Sequence, residues 1–167
     1  MAKNSGELKT NAIRLLDQAQ IPYDLRPYEV DENDLSAESV ADKIGLPPEQ
    51  VFKTLIAQGD VTGYLFALLP AGTELDPRLL AKASGNKRVE IVPLREVQAV
   101  TGYIRGGVSP LAAKKAYPVF ADETMQLWET ISISAGMRGL QILLAPDDLI
   151  RITSATLADL IRLQDLS

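Results

Sequence analysis

The chain has few residue types that can do covalent chemistry. Its 167 residues include no cysteine and no histidine. Thiolate nucleophiles, zinc–thiolate sites, Ser-His-Asp or Cys-His catalysis and histidine-bound metals are therefore excluded. No metal and no cofactor is expected. Chemistry must rest on lysine, tyrosine, carboxylates, hydroxyls, backbone amides or groups that the substrate brings. Two features can serve it. Lys53 interrupts the apolar run Val51-Phe52-Lys53-Thr54-Leu55-Ile56-Ala57. A lysine there either snorkels to water or serves a site. The second is Thr101-Gly102-Tyr103-Ile104-Arg105-Gly106-Gly107-Val108-Ser109-Pro110-Leu111. Gly106 and Gly107 let the main chain approach a ligand, Ser109 is biased to an extended shape by the next residue, and Pro110 fixes the exit. Such a loop can aim N–H groups into a pocket, and it can equally be a tight turn between strands.

The elements that must position these residues follow from periodicity. Leu8, Ala12, Leu15, Leu16 and Ala19 recur at helical spacing, which predicts an amphipathic helix over residues 6–20. Residues 23–30 read as a strand, with Pro27 favouring an edge and Tyr28 either packing or facing a pocket. Ser36 caps a helix that Gly45 stops, and Pro47-Pro48-Glu49 starts another turn. Residues 51–57 are a strand with Lys53 on the side of Val51 and Leu55. A polar hairpin at 58–63 leads to the apolar strand 64–69, whose continuity implies cover on both faces. Asp76 and Pro77 open a helix ended by Gly85, residues 89–92 form a short strand, and Pro93 opens a helix through Val100. Beyond the glycine loop, strands are expected at 116–121, 130–134 and 140–144. The last two are joined by Ala135-Gly136-Met137-Arg138-Gly139, and Leu127-Trp128 is expected to pack beside the turn before them. Pro146-Asp147-Asp148 begins a helical turn, and Thr156 is read as capping a last helix with Leu157, Leu160 and Ile161. The interspersed pattern predicts an α+β fold with a mixed, mostly antiparallel, barrel-like sheet flanked by helices.

Apolar residues make up 46% of the chain, enough for one domain over residues 1–167 with one sizeable core. No apolar run reaches membrane-spanning length and residues 1–7 lack a secretory segment, so a cytoplasmic protein with no membrane partner is expected. The net charge of −5 is uneven. Lys82, Lys87, Arg88, Arg95, Arg105, Lys114 and Lys115 face only Glu90 and Glu96, making residues 82–115 +5 and the remainder −10. That basic stretch is either a solvated surface or a phosphate-binding patch.

Three segments carry a resemblance: Val51-Phe52-Lys53-Thr54-Leu55, Thr101-Gly102-Tyr103 with Gly106-Gly107-Val108-Ser109-Pro110, and Ser134 through Gly139. Together they resemble the YbaK/EbsC family of free-standing aminoacyl-tRNA deacylases, similar to the editing domain of bacterial prolyl-tRNA synthetases. Leu68-Leu69-Pro70 and Ala83-Ser84-Gly85 point to the YbaK branch, which acts on Cys-tRNA(Pro). The resemblance implies a barrel-like α+β fold and a site for the 3′-terminal adenosine and its esterified amino acid. It assigns catalysis to Lys53, Gly106, Gly107, Val108 and Ser109. It assigns substrate binding to Tyr28, Thr54, Pro110, Ser134, Gly136, Arg138 and Gly139. Where the family often carries a further pocket aromatic, this chain reads Leu35-Ser36.

The implied partners are the 3′ acceptor end of an aminoacyl-tRNA and, transiently, prolyl-tRNA synthetase. The implied reaction is attack of the substrate's own thiol on its ester, with amides of residues 107–109 stabilising the oxyanion. Lys53 would hold a phosphate or ribose oxygen. Two other readings remain at this level: a water-using deacylase for Ala-tRNA(Pro) or another small aminoacyl-tRNA, and a tRNA-binding synthetase partner without turnover.

Overall fold

Local chemistry sets most element ends. Thr10 accepts from the Ile13 amide, Ser36 from Ser39 and Asp76 from Arg78, each closing a helix N-terminus. The structure, a computed structural model, describes residues 9–163. In chain order these form α1 (Asn11–Gln18), β1 (Asp24–Pro27), α2 (Ala37–Ile44), β2 (Phe52–Gly59), β3 (Gly63–Pro70), α3 (Pro77–Ser84) and β4 (Val89–Ile91). They continue with α4 (Val97–Thr101), β5 (Val119–Asp122), β6 (Ile131–Ser134), β7 (Leu140–Leu144), α5 (Pro146–Thr153) and β8 (Thr156–Ala158). The helix expected over residues 6–20 begins at Asn11, and its expected first turn at residues 6–8 lies outside the described residues.

The expected α+β class holds, but the strands divide into two sheets. One is antiparallel in the order β1-β7-β6, with β1 and its Pro27 at the edge as expected. The other has the order β4-β2-β3-β5-β8, antiparallel through β3 and parallel beyond it. A parallel bridge, Val51 with Ser132, ties them together. Phe52, Phe66, Leu68, Ile131, Ile133 and Ile142 are buried between the sheets and α1. Every residue of β3 from Leu65 onward is buried, matching its continuous apolar sequence.

Two expectations fail. Residues 156–158 are strand β8, parallel to β5, and not the start of a helix. Buried Asp122 accepts from the Leu160 amide at 3.0 Å, Leu160 O accepts from Asp76, and Arg162 N donates to Glu74 O. These long-range bonds hold the tail extended and override the cap pattern at Thr156. Leu127 is 78% exposed, so of the Leu127-Trp128 pair only Trp128 packs on the core.

The feature that positions the site is a split along one edge of β2. Ala71 N donates to Val51 O, and Val92 N donates to Ile56 O. By strand alternation, main-chain groups of Val51, Lys53 and Leu55 point to β3, and those of Phe52, Thr54 and Ile56 point to the other edge. Along that edge β4 begins pairing at Ala57, and β6 touches β2 at Val51. Between them, Thr54 has no neighbouring strand.

Candidate active site

A cavity of about 320 Å³ opens at this split, within the size range of small-ligand clefts. Lys53 and Thr54 of β2 form one wall; Arg105, Gly106 and Val108 of the glycine loop form another. Ser134 and Gln141 contribute from β6 and β7, Leu35 and Glu38 from the start of α2, and Ile91 and Leu94 stand at the β4 end.

Sheet parity explains the grouping. Side chains at Val51, Lys53 and Leu55 share one face of β2. Ser132 lies beside Val51, and Ser134 pairs with Gln141 across β6 and β7. Lys53, Ser132, Ser134 and Gln141 therefore fall on one face, opposite the buried isoleucines. The Lys53 ammonium is half-buried and donates to Thr73 O at 2.5 Å, in the turn after β3. Among the described residues it makes no ion pair, so its charge and two further N–H groups can serve a ligand. Ser132 Oγ donates to Gln141 Oε1 at 2.7 Å, both residues being buried. This fixes the amide with Nε2 as its open end, and no hydrogen bond from Nε2 exists among the described residues. Thr54 Oγ1 is the one buried side-chain polar atom without a partner among the described residues. Buried polar atoms are nearly always bonded, so Thr54 Oγ1 is an exception, and the Gln141 amide on the cavity wall can donate to a ligand.

The glycine loop is held from behind. Thr101 Oγ1 donates to Val97 O at 2.8 Å and accepts from Tyr103 N at 3.0 Å. Tyr103 Oη donates to Leu111 O at 2.6 Å, and burial pushes its pKa above the usual value, keeping it a donor. Ser109 is fully buried and its Oγ accepts from Leu111 N. Gly107 packs so closely on the second loop that a Cβ would lie 3.0 Å from the Met137 Cα. Gly106 has φ +86°, and Arg138 Nε donates to Arg105 O at 2.7 Å. Gly136 lies against the Tyr103 ring, and Gly139 O accepts from Tyr28 N at 2.9 Å.

The expected site residues thus divide. Lys53, Thr54, Gly106, Val108 and Ser134 meet at the cavity. Gly107, Ser109, Pro110, Gly136, Arg138 and Gly139 are not in the lining; of these, Gly107, Gly136 and Arg138 join the two loops. Tyr28 also lies outside the lining, packed on the cluster of α2 with the Lys43 ammonium 6.0 Å from its ring centre. The Gly107 amide already donates to Ile104 O, whereas the amides of Arg105, Gly106 and Val108, whose residues line the wall, donate to no acceptor among the described residues. Gln141 and Glu38 were not singled out from sequence, and Arg105 was named there only within the glycine loop and the basic stretch 82–115. A signal for Gln141 existed, because it is the one polar residue of Leu140–Leu144.

Comparison with known proteins gives the family and the fold. The family described as "Aminoacyl-tRNA editing domain" matches residues 31–152. EbsC of Enterococcus faecalis, which carries the name of a Cys-tRNA(Pro)/Cys-tRNA(Cys) deacylase, is 44% identical over 96% of this chain and 98% of its own length. Two solved structures share the fold. The hypothetical protein APE2540 superposes with a TM-score of 0.83 at 20% identity, covering 92% of this chain and 100% of that one. A structure described as a trans-editing enzyme for prolyl-tRNA synthetase gives 0.78 at 22% identity, covering 93% and 99%. With these walls, this split edge and this match, the chain belongs to the aminoacyl-tRNA editing-domain family.

Proposed function

We propose that the protein is a free-standing deacylase that clears Cys-tRNA(Pro), and also Cys-tRNA(Cys), through the substrate's own thiol. The carrying observation is the composition of the cavity. It holds an ammonium, unbonded loop amides that include those of Gly106 and Val108, and the open Gln141 amide, in a chain with no thiol or imidazole. Such a wall binds and polarises an ester but supplies no strong nucleophile.

In this reading Lys53 holds a phosphate or ribose oxygen of the terminal nucleotide. The amides of Gly106 and Val108 take the carbonyl oxygen as charge develops, each typically contributing on the order of 3 kcal/mol. The cysteine sulfur bonds to the ester carbon and the carbon–oxygen bond to the ribose breaks. The ribose oxygen gains the proton that the thiol gives up, and a cyclic thiolactone leaves. A pocket separates amino acids differing by one methylene by only about 1–3 kcal/mol. A reaction that needs a thiol selects cysteine more sharply and spares Pro-tRNA(Pro). The mischarged Cys-tRNA(Pro) comes from prolyl-tRNA synthetase, with which the protein forms a transient complex.

Incubation with labelled Cys-, Ala- and Ser-tRNA(Pro) tests the reading. Rapid loss of the cysteinyl ester alone, with thiolactone as product, is expected. Methylating the substrate thiol should stop the reaction. Release of free S-methylcysteine, or equal loss of the alanyl ester, would overturn it in favour of attack by water. Binding without turnover of any ester would leave a tRNA-binding module.

A further inference from the structure

We propose that Glu38 receives the α-ammonium of the esterified amino acid, which makes a free amine a condition of efficient turnover. This deepens the deacylase reading and rests on it. Glu38 is the one carboxylate in the cavity lining, where Lys53 and Arg105 supply the cations. It sits in the first turn of α2, directly after Ala37. Its Cγ lies 3.8 Å from where a Cβ on Gly72 would stand. The next residue, Thr73, takes the Lys53 ammonium on its carbonyl. Glu38 and Lys53 thus approach the same turn from two sides, yet they form no ion pair. Among the described residues the Glu38 carboxylate pairs with no cation at all.

The fold has little need of this charge. An acidic side chain in a first turn favours a helix only weakly. Ser36 already caps α2 by accepting from the Ser39 amide. The position that would reach back to the cap is Ser39, not Glu38. What surrounds Glu38 on the wall is apolar: Leu35, Ala37, Val40 and Val51.

An anion on this wall sorts the two ends of an aminoacyl ester. It repels a phosphate, so the nucleotide end belongs with the cations. The amino-acid end brings a cation of its own, on the carbon next to the ester carbonyl. Its N–H groups and charge match a carboxylate, and such charge-assisted bonds are the strong ones. Three attachments then fix the α-carbon: the ribose side at Lys53, the carbonyl oxygen at the loop amides and the ammonium at Glu38. The one direction left belongs to the side chain, so the thiol is delivered to a set side of the carbonyl. An ester whose amine is acylated, as in a peptidyl-tRNA, has no charge to offer and is spared.

The test crosses one substrate group with one side chain. Cysteinyl-tRNA is compared with mercaptolactyl-tRNA, which keeps the thiol and carries a hydroxyl in place of the amine, and each rate is divided by that of the ester without enzyme. In the wild type the amine ester is expected to exceed the hydroxy ester in kcat/KM by about tenfold or more, and Glu38→Gln should remove that advantage by slowing the amine ester alone. The melting temperature should stay in place, since the side chain is exposed. N-acetylcysteinyl-tRNA should be cleaved poorly by both proteins. Equal loss on both esters in Glu38→Gln overturns the proposal, and so does full activity on both. If the effect of Glu38→Gln vanishes only when the 2′-hydroxyl of the terminal ribose is removed, the carboxylate serves the sugar and the proposal fails. Absence of turnover of any ester by the wild type sinks the deacylase reading. Calorimetry with the stable amide of cysteine and 3′-amino-3′-deoxyadenosine, against its mercaptolactyl counterpart, then decides Glu38 by itself. A preference for the amine that Glu38→Gln abolishes sustains the assignment, and equal affinities overturn it.

Discussion

Two ends of β2 handle polar groups in opposite ways. At the hairpin end, Asn86 is 8% exposed and closes every bond it can. Its Oδ1 accepts from Val61 N and Thr62 N, and its Nδ2 donates to Thr62 Oγ1 and Ser84 Oγ. Asp60 does the same for the Lys87 and Arg88 amides. Even Gly59 is needed there, because a Cβ would collide with the Asn86 amide. At the cavity end, Thr54 Oγ1, Gln141 Nε2 and the amides of Gly106 and Val108 are left open. The fold is capable of complete satisfaction, so the open groups mark function and not poor packing.

Four substitutions break or sharpen this contrast. Lys53→Ala should lower turnover by on the order of 1,000-fold while leaving the melting temperature in place, since the side chain holds one carbonyl and no core contact is lost. Unchanged deacylation would remove Lys53 from the mechanism. Gly107→Val pushes the two loops apart at Met137 and should cost about 100-fold in kcat, because small displacements of oxyanion donors are expensive. A crystal structure or amide spectrum with undisturbed loops and full activity would contradict that. Asn86→Ala should do the reverse. It removes a buried side chain together with its bonds to the Val61 and Thr62 amides, and should reduce stability by about 1–3 kcal/mol in urea titration, with turnover per folded molecule retained. A large loss of turnover there would erase the distinction between the two ends.

The smallest effect concerns Tyr23, a satisfied group remote from the cavity lining. Its hydroxyl donates to Asp17 at 2.8 Å, and burial, then that bond and the carboxylate charge, push its pKa up to about 12. The folded state therefore holds this proton more tightly than the unfolded chain. The associated stability is complete below pH 10 and declines as pH rises to about 12. Tyr23→Phe should flatten that part of the stability profile in denaturant titrations at successive pH values, and turnover at neutral pH should not move.

Local signals carried much of the layout. The caps at Ser36 and Asp76, the stops at Gly45 and Gly85 and both hairpins are near-neighbour chemistry, so they were legible. Lys53 was legible because a charge on an apolar strand is anomalous. Gln141 was not, because its meeting with Lys53 depends on the Val51–Ser132 bridge between segments far apart in sequence. The division of labour between Gly106 and Gly107 was also hidden. Both are glycine for a reason, but one faces the cavity and the other faces Met137, and only packing decides which. At Thr156 a plausible cap lost to parallel pairing with β5, a competition that no short window contains.

The length of β4 has a consequence for engineering. The strand quits at Ile91, and Pro93 swings the chain into the turn Leu94–Glu96. Each added rung of ladder would carry it about 3.4 Å further along its neighbour. Two or three rungs would roof over Thr54 and seal the aperture without touching Lys53 or the loops. How large a cargo this scaffold admits is thus set by where one three-residue strand stops, a dial that can be turned by insertion or deletion alone.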